Sequence, residues 1–227
     1  MFQAAFKRGA SLRFPCHCTS RDPLAMPREP APCTMPNLDL AMFSALNAGR
    51  DPQPAVMHLA VFAADWLVGV VPLLLAALWL AGTRPVRRAA IAAAVSAGLA
   101  LLVAQLVSNC WYSPRPFALG IGTQLIAHVP DSAFPSHHMA FIWSVAARLW
   151  LSRTTRALGV ATAIDALLVA WARVYAGVHW PLDMVGGALT GSVAALLVQR
   201  YGGALVARIE RAGEVARMIA TGNLRGR

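Results

Sequence analysis

The sequence predicts an all-α fold: a polytopic membrane helix bundle of about five transmembrane helices, with interfacial helices at its ends. Three observations lead there. Of the 227 residues, 57% are hydrophobic and only 13% charged, whereas a water-soluble domain carries about 25% charged residues. Apolar Ala/Leu/Val runs recur at lengths that fit a bilayer core. The positive residues cluster between those runs, as short cytoplasmic loops do. The apolar content excludes a disordered chain, and four cysteines in a chain this long exclude a disulfide scaffold. A net charge of +10 would also suit a nucleic-acid binder. The arginines, however, group by membrane side rather than forming one continuous aromatic-laced patch, so no nucleic-acid partner is expected.

In chain order, residues 1–34 hold Lys7, Arg8, Arg13, Arg21 and Arg28, three cysteines and several prolines. They contain no apolar run long enough for a signal-peptide core. This segment is expected to be disordered, or to precede a translation start at Met26 or Met35. Cys16-His17-Cys18 has metal-binding residue types, but the spacing does not suit a structural zinc site and there is no partner pair. Residues 36–49 read as an amphipathic helix that opens a membrane-embedded domain over 35–202; inserted, it would be a sixth span. Spans follow at 57–81, 89–110, 136–151, 157–174 and 182–201, the third counting only if its helix begins at the Pro135-Ser136 step. Residues 203–227 form a basic tail in which Leu205, Ile209, Ala212, Ala216 and Ile219 recur at helical spacing. An interfacial helix on an anionic leaflet and a solvated tail both fit that pattern.

Arginine placement orients the spans. Arg84, Arg87 and Arg88 follow the first; Arg148, Arg153 and Arg156 end the third; Arg200, Arg208, Arg211, Arg217, Arg225 and Arg227 follow the fifth. All fall on one side, which is therefore read as cytoplasmic together with the C-terminus. The opposite side, from Arg50 onward, holds only Arg50, Arg115 and Arg173.

That opposite side carries two polar loops. The first contains Ser113-Pro114-Arg115-Pro116-Phe117 and ends in Asp131-Ser132-Ala133-Phe134-Pro135-Ser136-His137-His138; the second runs from Arg173 through His179 to Asp183. Polar groups held at a membrane face are usually functional. Arginine's planar fork matches phosphate oxygens and stays charged at any biological pH, so Arg115 and Arg173 mark an oxyanion site. Ser136 stands where a helix begins, and its hydroxyl and the free N–H groups of the first turn suit a phosphate. One imidazole can attack phosphorus while another protonates the leaving oxygen. Asp183, four residues after His179, is placed to fix that ring's tautomer, with Pro181 at a helix start. His58 and His128 have no motif around them and are given no role. Asp65 and Asp165, inside spans, are read as packing or relay residues.

These residues resemble the three-part signature of the type 2 phosphatidic acid phosphatase superfamily of membrane lipid phosphatases: Lys-x6-Arg-Pro, Pro-Ser-x-His and Ser-Arg-x5-His-x3-Asp. The matching positions are Arg115-Pro116, then Pro135-Ser136-His137-His138, then Arg173, His179 and Asp183. Within the superfamily, Arg-Pro-Phe, Phe-Pro-Ser-x-His and the 36–49 opening look most like undecaprenyl-diphosphatases of the bacitracin-resistance type. The resemblance implies hydrolysis of undecaprenyl diphosphate to undecaprenyl phosphate and inorganic phosphate, recycling the lipid carrier of peptidoglycan synthesis. It implies His179 as the nucleophile forming a phosphohistidine, Asp183 orienting it, His138 as general acid, and Arg115, Ser136 and Arg173 as phosphate ligands. His137 occupies the variable position. Two positions depart from the signature: Ser108 stands where it has lysine, and Ala172 where it has serine. No carboxylate cluster of metal-binding type is present, so a reaction without metal or other cofactor is expected. The expected partners are the bilayer and a polyprenyl or other lipid phosphate. The expected setting is a plasma (inner) membrane with the site on its periplasmic or extracellular face. Phosphatidic acid, phosphatidylglycerol phosphate and lipid A phosphates are alternative substrates, and a non-catalytic transporter or anion-binding scaffold is the alternative of another class.

Overall fold

A computed structural model describes residues 13–15, 32–34 and 37–220, with side chains from 38 to 214. Two three-residue strands, β1 (Arg13–Pro15) and β2 (Pro32–Thr34), pair antiparallel within the segment expected to be disordered. Cys16, His17 and Cys18 lie outside the described residues. Everything else regular is helical: α1 (Asn37–Leu46), α2 (Pro54–Trp66), α3 (Val70–Ala81), α4 (Arg84–Cys110), α5 (His137–Trp150), α6 (Arg156–Tyr175), α7 (Pro181–Tyr201) and α8 (Gly203–Ala220).

Four helical segments are long and apolar enough to cross a membrane, and they make the chain a multi-pass membrane protein: Pro54–Ala81, Arg84–Cys110, Arg156–Tyr175 and Pro181–Tyr201. The first joins α2 and α3 through the single tight turn Leu67–Gly69. The helix expected over 136–151 is α5, whose 14 residues make it shorter than these four; it begins at the face where α6 ends and leads through residues 151–155 into the start of α6. Its start is set by the Ser136 cap and its end by the turn where the Thr155 hydroxyl donates to Leu149 O at 2.8 Å. α5 packs against α4, α6 and α7 and buries Ile142, Val145 and Leu149. α1 has ten residues, fewer than a bilayer crossing needs.

Small residues let these helices approach. On α4 the buried positions include Ala89, Ala93, Ala97, Ala100 and Ala104, one helical stripe with little side chain to hold neighbours apart. On the outside the pattern inverts. Leu59, Phe62, Leu73, Leu102, Leu106, Leu189 and Leu196 are exposed, as apolar side chains are where lipid is the solvent.

α8 docks back onto the bundle, against α4 and α7. Buried Val206 and Glu210 do the docking, while Leu205 and Ile209 of the anticipated apolar stripe are exposed; the side chains of Ala216 and Ile219 lie outside the described residues. Glu210 meets Arg84 at 3.4 Å and Arg88 at 3.8 Å. One face of the helix is thus held by the bundle, and the Leu205/Ile209 stripe faces away from it.

Candidate active site

The site forms where α5 and α7 begin, α6 ends and the loop after α4 folds over them. Pro135 precedes α5, and Ser136 caps it, its hydroxyl accepting from Met139 N at 3.4 Å. Ser136 N in turn donates to Asp183 O at 3.1 Å, joining the starts of α5 and α7. Pro181 opens α7, where its missing N–H costs nothing. The Asp183 carboxylate turns back to accept from Trp180 N at 2.8 Å, and Asp39 of α1 accepts from Leu182 N at 3.0 Å. Two carboxylates thus satisfy the first turn's free donors.

All six residues picked from the sequence converge. His179 is buried, its Nδ1 3.3 Å from Asp183 Oδ2 and its Nε2 3.1 Å from Arg115 Nη1. A guanidinium can only donate and a carboxylate accepts. Nδ1 therefore carries the proton and Nε2 presents a lone pair. Burial, reinforced by the Arg173 and Arg115 charges, holds His179 well below the usual imidazole range and keeps it neutral. Arg115 is held on every nitrogen: Nε donates to Asp131 at 2.7 Å, Nη1 to Val178 O at 2.8 Å and Nη2 to Ser132 O at 3.4 Å.

Arg173, in the last turn of α6, differs. Its Nη1 donates to Ala64 O at 3.3 Å and lies 3.4 Å from His138 Nε2. Its Nε is buried without a partner, and among the described residues no carboxylate lies within ion-pair distance of it. The neighbouring Asp65 carboxylate lies in its field, a placement the sequence did not suggest. His138 Nε2, facing a donor, is an acceptor in this state. Asp165 is not brought to the site by any described contact; its Oδ2 is buried without a partner, as is His137 Nε2. His58 is exposed on α2. Ser108 is tied down, donating to Phe134 O at 3.0 Å.

Two features escaped the sequence reading. The first is α1, which straps the site from outside. Phe43, fully buried, packs on Trp180 with ring centroids 5.0 Å apart, and the Trp180 indole donates to Pro114 O at 2.9 Å. Asn47 donates to Thr123 O and Tyr175 O, both at 3.0 Å, and accepts from Thr123 N at 2.8 Å. One amide thus staples the first loop to the second, at the turn made by Gly177 with φ +77. The signal was present: Asp39, Phe43 and Asn47 recur every four residues on one helical face, but polar residues there read as a surface. Asn47→Ala is expected to lower thermal stability by about 1–3 kcal/mol by stranding buried backbone groups, measured as a melting shift in detergent, with turnover falling too. The second is His128, whose ring lies edge-on to His179 with centroids 6.4 Å apart. No local motif marked it.

Known proteins align with this arrangement. The profile of the PAP2 superfamily matches residues 89–206. YbjG of Escherichia coli (strain K12), provisionally named an undecaprenyl-diphosphatase, is 38% identical over 169 residues, covering 72% of this chain and 82% of that one. The undecaprenyl-diphosphatase BcrC of Bacillus subtilis (strain 168) is 24% identical over 164 residues, covering 72% and 84%. The crystal structure of Aquifex aeolicus LpxE superposes with a TM-score of 0.57 at 23% identity, covering 72% of this chain and 96% of that one, a likeness of fold. The helix starts that carry Ser136 and Asp183 fall inside the matched span, and the chain belongs to the PAP2 superfamily.

Proposed function

We propose that this protein is a membrane lipid phosphatase that removes the terminal phosphate of undecaprenyl diphosphate through a phosphohistidine at His179. The observation that carries the reading is the Nε2 lone pair of His179, its tautomer fixed by Asp183, beside two buried arginines. The names of YbjG and BcrC support the substrate.

Attack by Nε2 on the terminal phosphorus breaks the bond to the bridging oxygen, whose electron pair takes a proton from His138. Arg115 releases Nε2 as the phosphate enters. Arg173, with its unpartnered Nε, takes phosphoryl oxygens and gives up its contact to His138 Nε2, which then takes a proton from solvent and holds it for the leaving oxygen. Ser136 and the α5 N-terminus complete the cradle. Placing donors where charge develops is the main work of phosphoryl transfer. Water then attacks the phosphohistidine, giving a proton to His138 Nε2; the P–N bond breaks with its electron pair returning to His179 Nε2, and inorganic phosphate leaves with His179 neutral again. Among the described residues no three His, Cys, Asp or Glu side chains converge to hold a metal. Arg115 and Arg173 supply the positive charge instead, so we propose a metal-independent reaction.

The arginine clusters at Arg84–Arg88 and beyond Arg200 lie at the helix ends opposite the site. This supports a site on the extracytoplasmic face, where a lipid's chain stays in the bilayer while its diphosphate reaches the loops.

Purified protein is expected to release phosphate from undecaprenyl diphosphate faster than from phosphatidic acid, phosphatidylglycerol phosphate or lipid A phosphates, and to do so undiminished by a chelator. Preference for another of the four would reassign the substrate. Activity restored only by Mg²⁺ or Mn²⁺ would overturn the metal-independent step.

A further inference from the structure

The loop after the Phe117–Leu119 turn returns towards α5 and lays His128 against the site. Its ring stands edge-on to His179 at 6.4 Å and near Phe117 at 6.5 Å between centroids. Its Nδ1 is 3.0 Å from Val129 O. A carbonyl only accepts, so Nδ1 carries the proton and Nε2 remains unspent. Asp131 stands nearby: Oδ1 lies 3.8 Å from His128 Nδ1 and accepts from Arg115 Nε at 2.7 Å. His128 therefore shares one carboxylate with a guanidinium that itself touches His179. Its side chain is 23% exposed, open enough to meet an arriving group.

The chain lacks the lysine of the signature it resembles, and Ser108 in its place spends its hydroxyl on Phe134 O. Position 108 therefore offers the site neither a charge nor a free donor. We infer that His128 is a further substrate-contacting residue, whose imidazole gives the phosphoryl group of the lipid substrate a hydrogen bond beside His179. This inference rests on the proposed phosphatase reading and names one more ligand of the same site. In the free protein, burial is the main cause holding His128 below its usual range; the Arg115 and Arg173 charges add to it, and Asp131 opposes them. A phosphate bearing negative charge between those arginines cancels part of their field. Nε2 then takes a proton from solvent and donates it to a phosphoryl oxygen, a charge-assisted contact. His137, His138 and His179 face the same charge, which is why the test isolates His128 by substitution.

The experiment compares phosphate release from undecaprenyl diphosphate by wild type, His128→Ala, His128→Gln and His179→Ala in detergent. His128→Ala is expected to raise KM about 10-fold, a change of about 1.4 kcal/mol, with kcat within about threefold. His128→Gln, which keeps an N–H donor, is expected to recover most of that loss. A general structural defect would lower kcat and the melting temperature of both variants alike, without rescue by glutamine. KM within twofold of wild type in His128→Ala, or a fall in kcat alone, overturns the inference. His179→Ala separates the two claims: its full activity would overturn the phosphohistidine reading, whereas an inactive His179→Ala beside a wild-type-like His128→Ala would overturn only the role of His128.

Discussion

His179→Ala is expected to lower phosphate release at least about 10³-fold, the scale seen when a nucleophile that works with its neighbours as a unit is removed. Among the described residues, His179 alone has Nδ1 at hydrogen-bond distance from a carboxylate and Nε2 turned to a guanidinium. The other imidazoles are differently engaged: His138 Nε2 faces Arg173, and His128 Nδ1 is bonded to Val129 O. The fold should survive. Asp183 keeps the Trp180 N–H, and Arg115 keeps Asp131, Val178 O and Ser132 O. His179→Gln fills more of the space and serves as a second variant. The measurements are phosphate release, trapping of a labelled phosphoenzyme, and a melting curve in detergent. Wild type should yield an acid-labile phosphoenzyme and both variants none; turnover at the wild-type rate in a folded variant would dismiss His179 as nucleophile.

Gly191→Leu is expected to lower the stability of the bundle strongly. A Cβ at Gly191 would lie 2.8 Å from both Ala140 O and Ser144 N of α5, and one at Gly187 would lie 2.7 Å from Ser136 O. These are backbone atoms, which cannot rotate aside. Overpacking typically costs about 1–3 kcal/mol, and a leucine against rigid backbone belongs at the upper end. The two glycines stand four apart on α7, the spacing by which membrane helices approach closely. Pushing α7 away also pulls Asp183 O from Ser136 N, now 3.1 Å apart, so activity should fall with the folded fraction. Gly98→Leu on α4 is the control, because a Cβ there meets nothing within 4 Å. Equal melting temperatures for the two variants would show that the α5–α7 contact does not limit stability.

Much of the candidate site could be read in the chain because its residues sit at helix boundaries that local chemistry announces. Pro135-Ser136 starts α5 and Pro181 starts α7 for reasons confined to a few residues. His179 and Asp183 straddle the second of these starts. The spans were legible where the apolar run was long enough. The packing of α5 was not, because hydropathy cannot distinguish a helix surrounded by other helices from one surrounded by lipid. In α8 the Leu205 and Ile209 stripe is left exposed, and Val206 and Glu210, one position further on, make the contact with the bundle.

By itself, then, the sequence determined an all-helical membrane chain, the gathering of its polar loops at one face, and six residues of types fit to handle a phosphate. These follow from composition, charge placement and short-range capping, which depend on neighbours in the chain. Only the tertiary structure decided that α1 folds over the site rather than crossing the bilayer, that Asn47 joins two loops more than seventy residues apart in sequence from it, and that His128 stands beside His179. Those contacts join residues far apart in the chain, and the packing of helices on backbone as bare as Gly187 and Gly191 brings them together; no local pattern encodes which distant carbonyl an amide will meet.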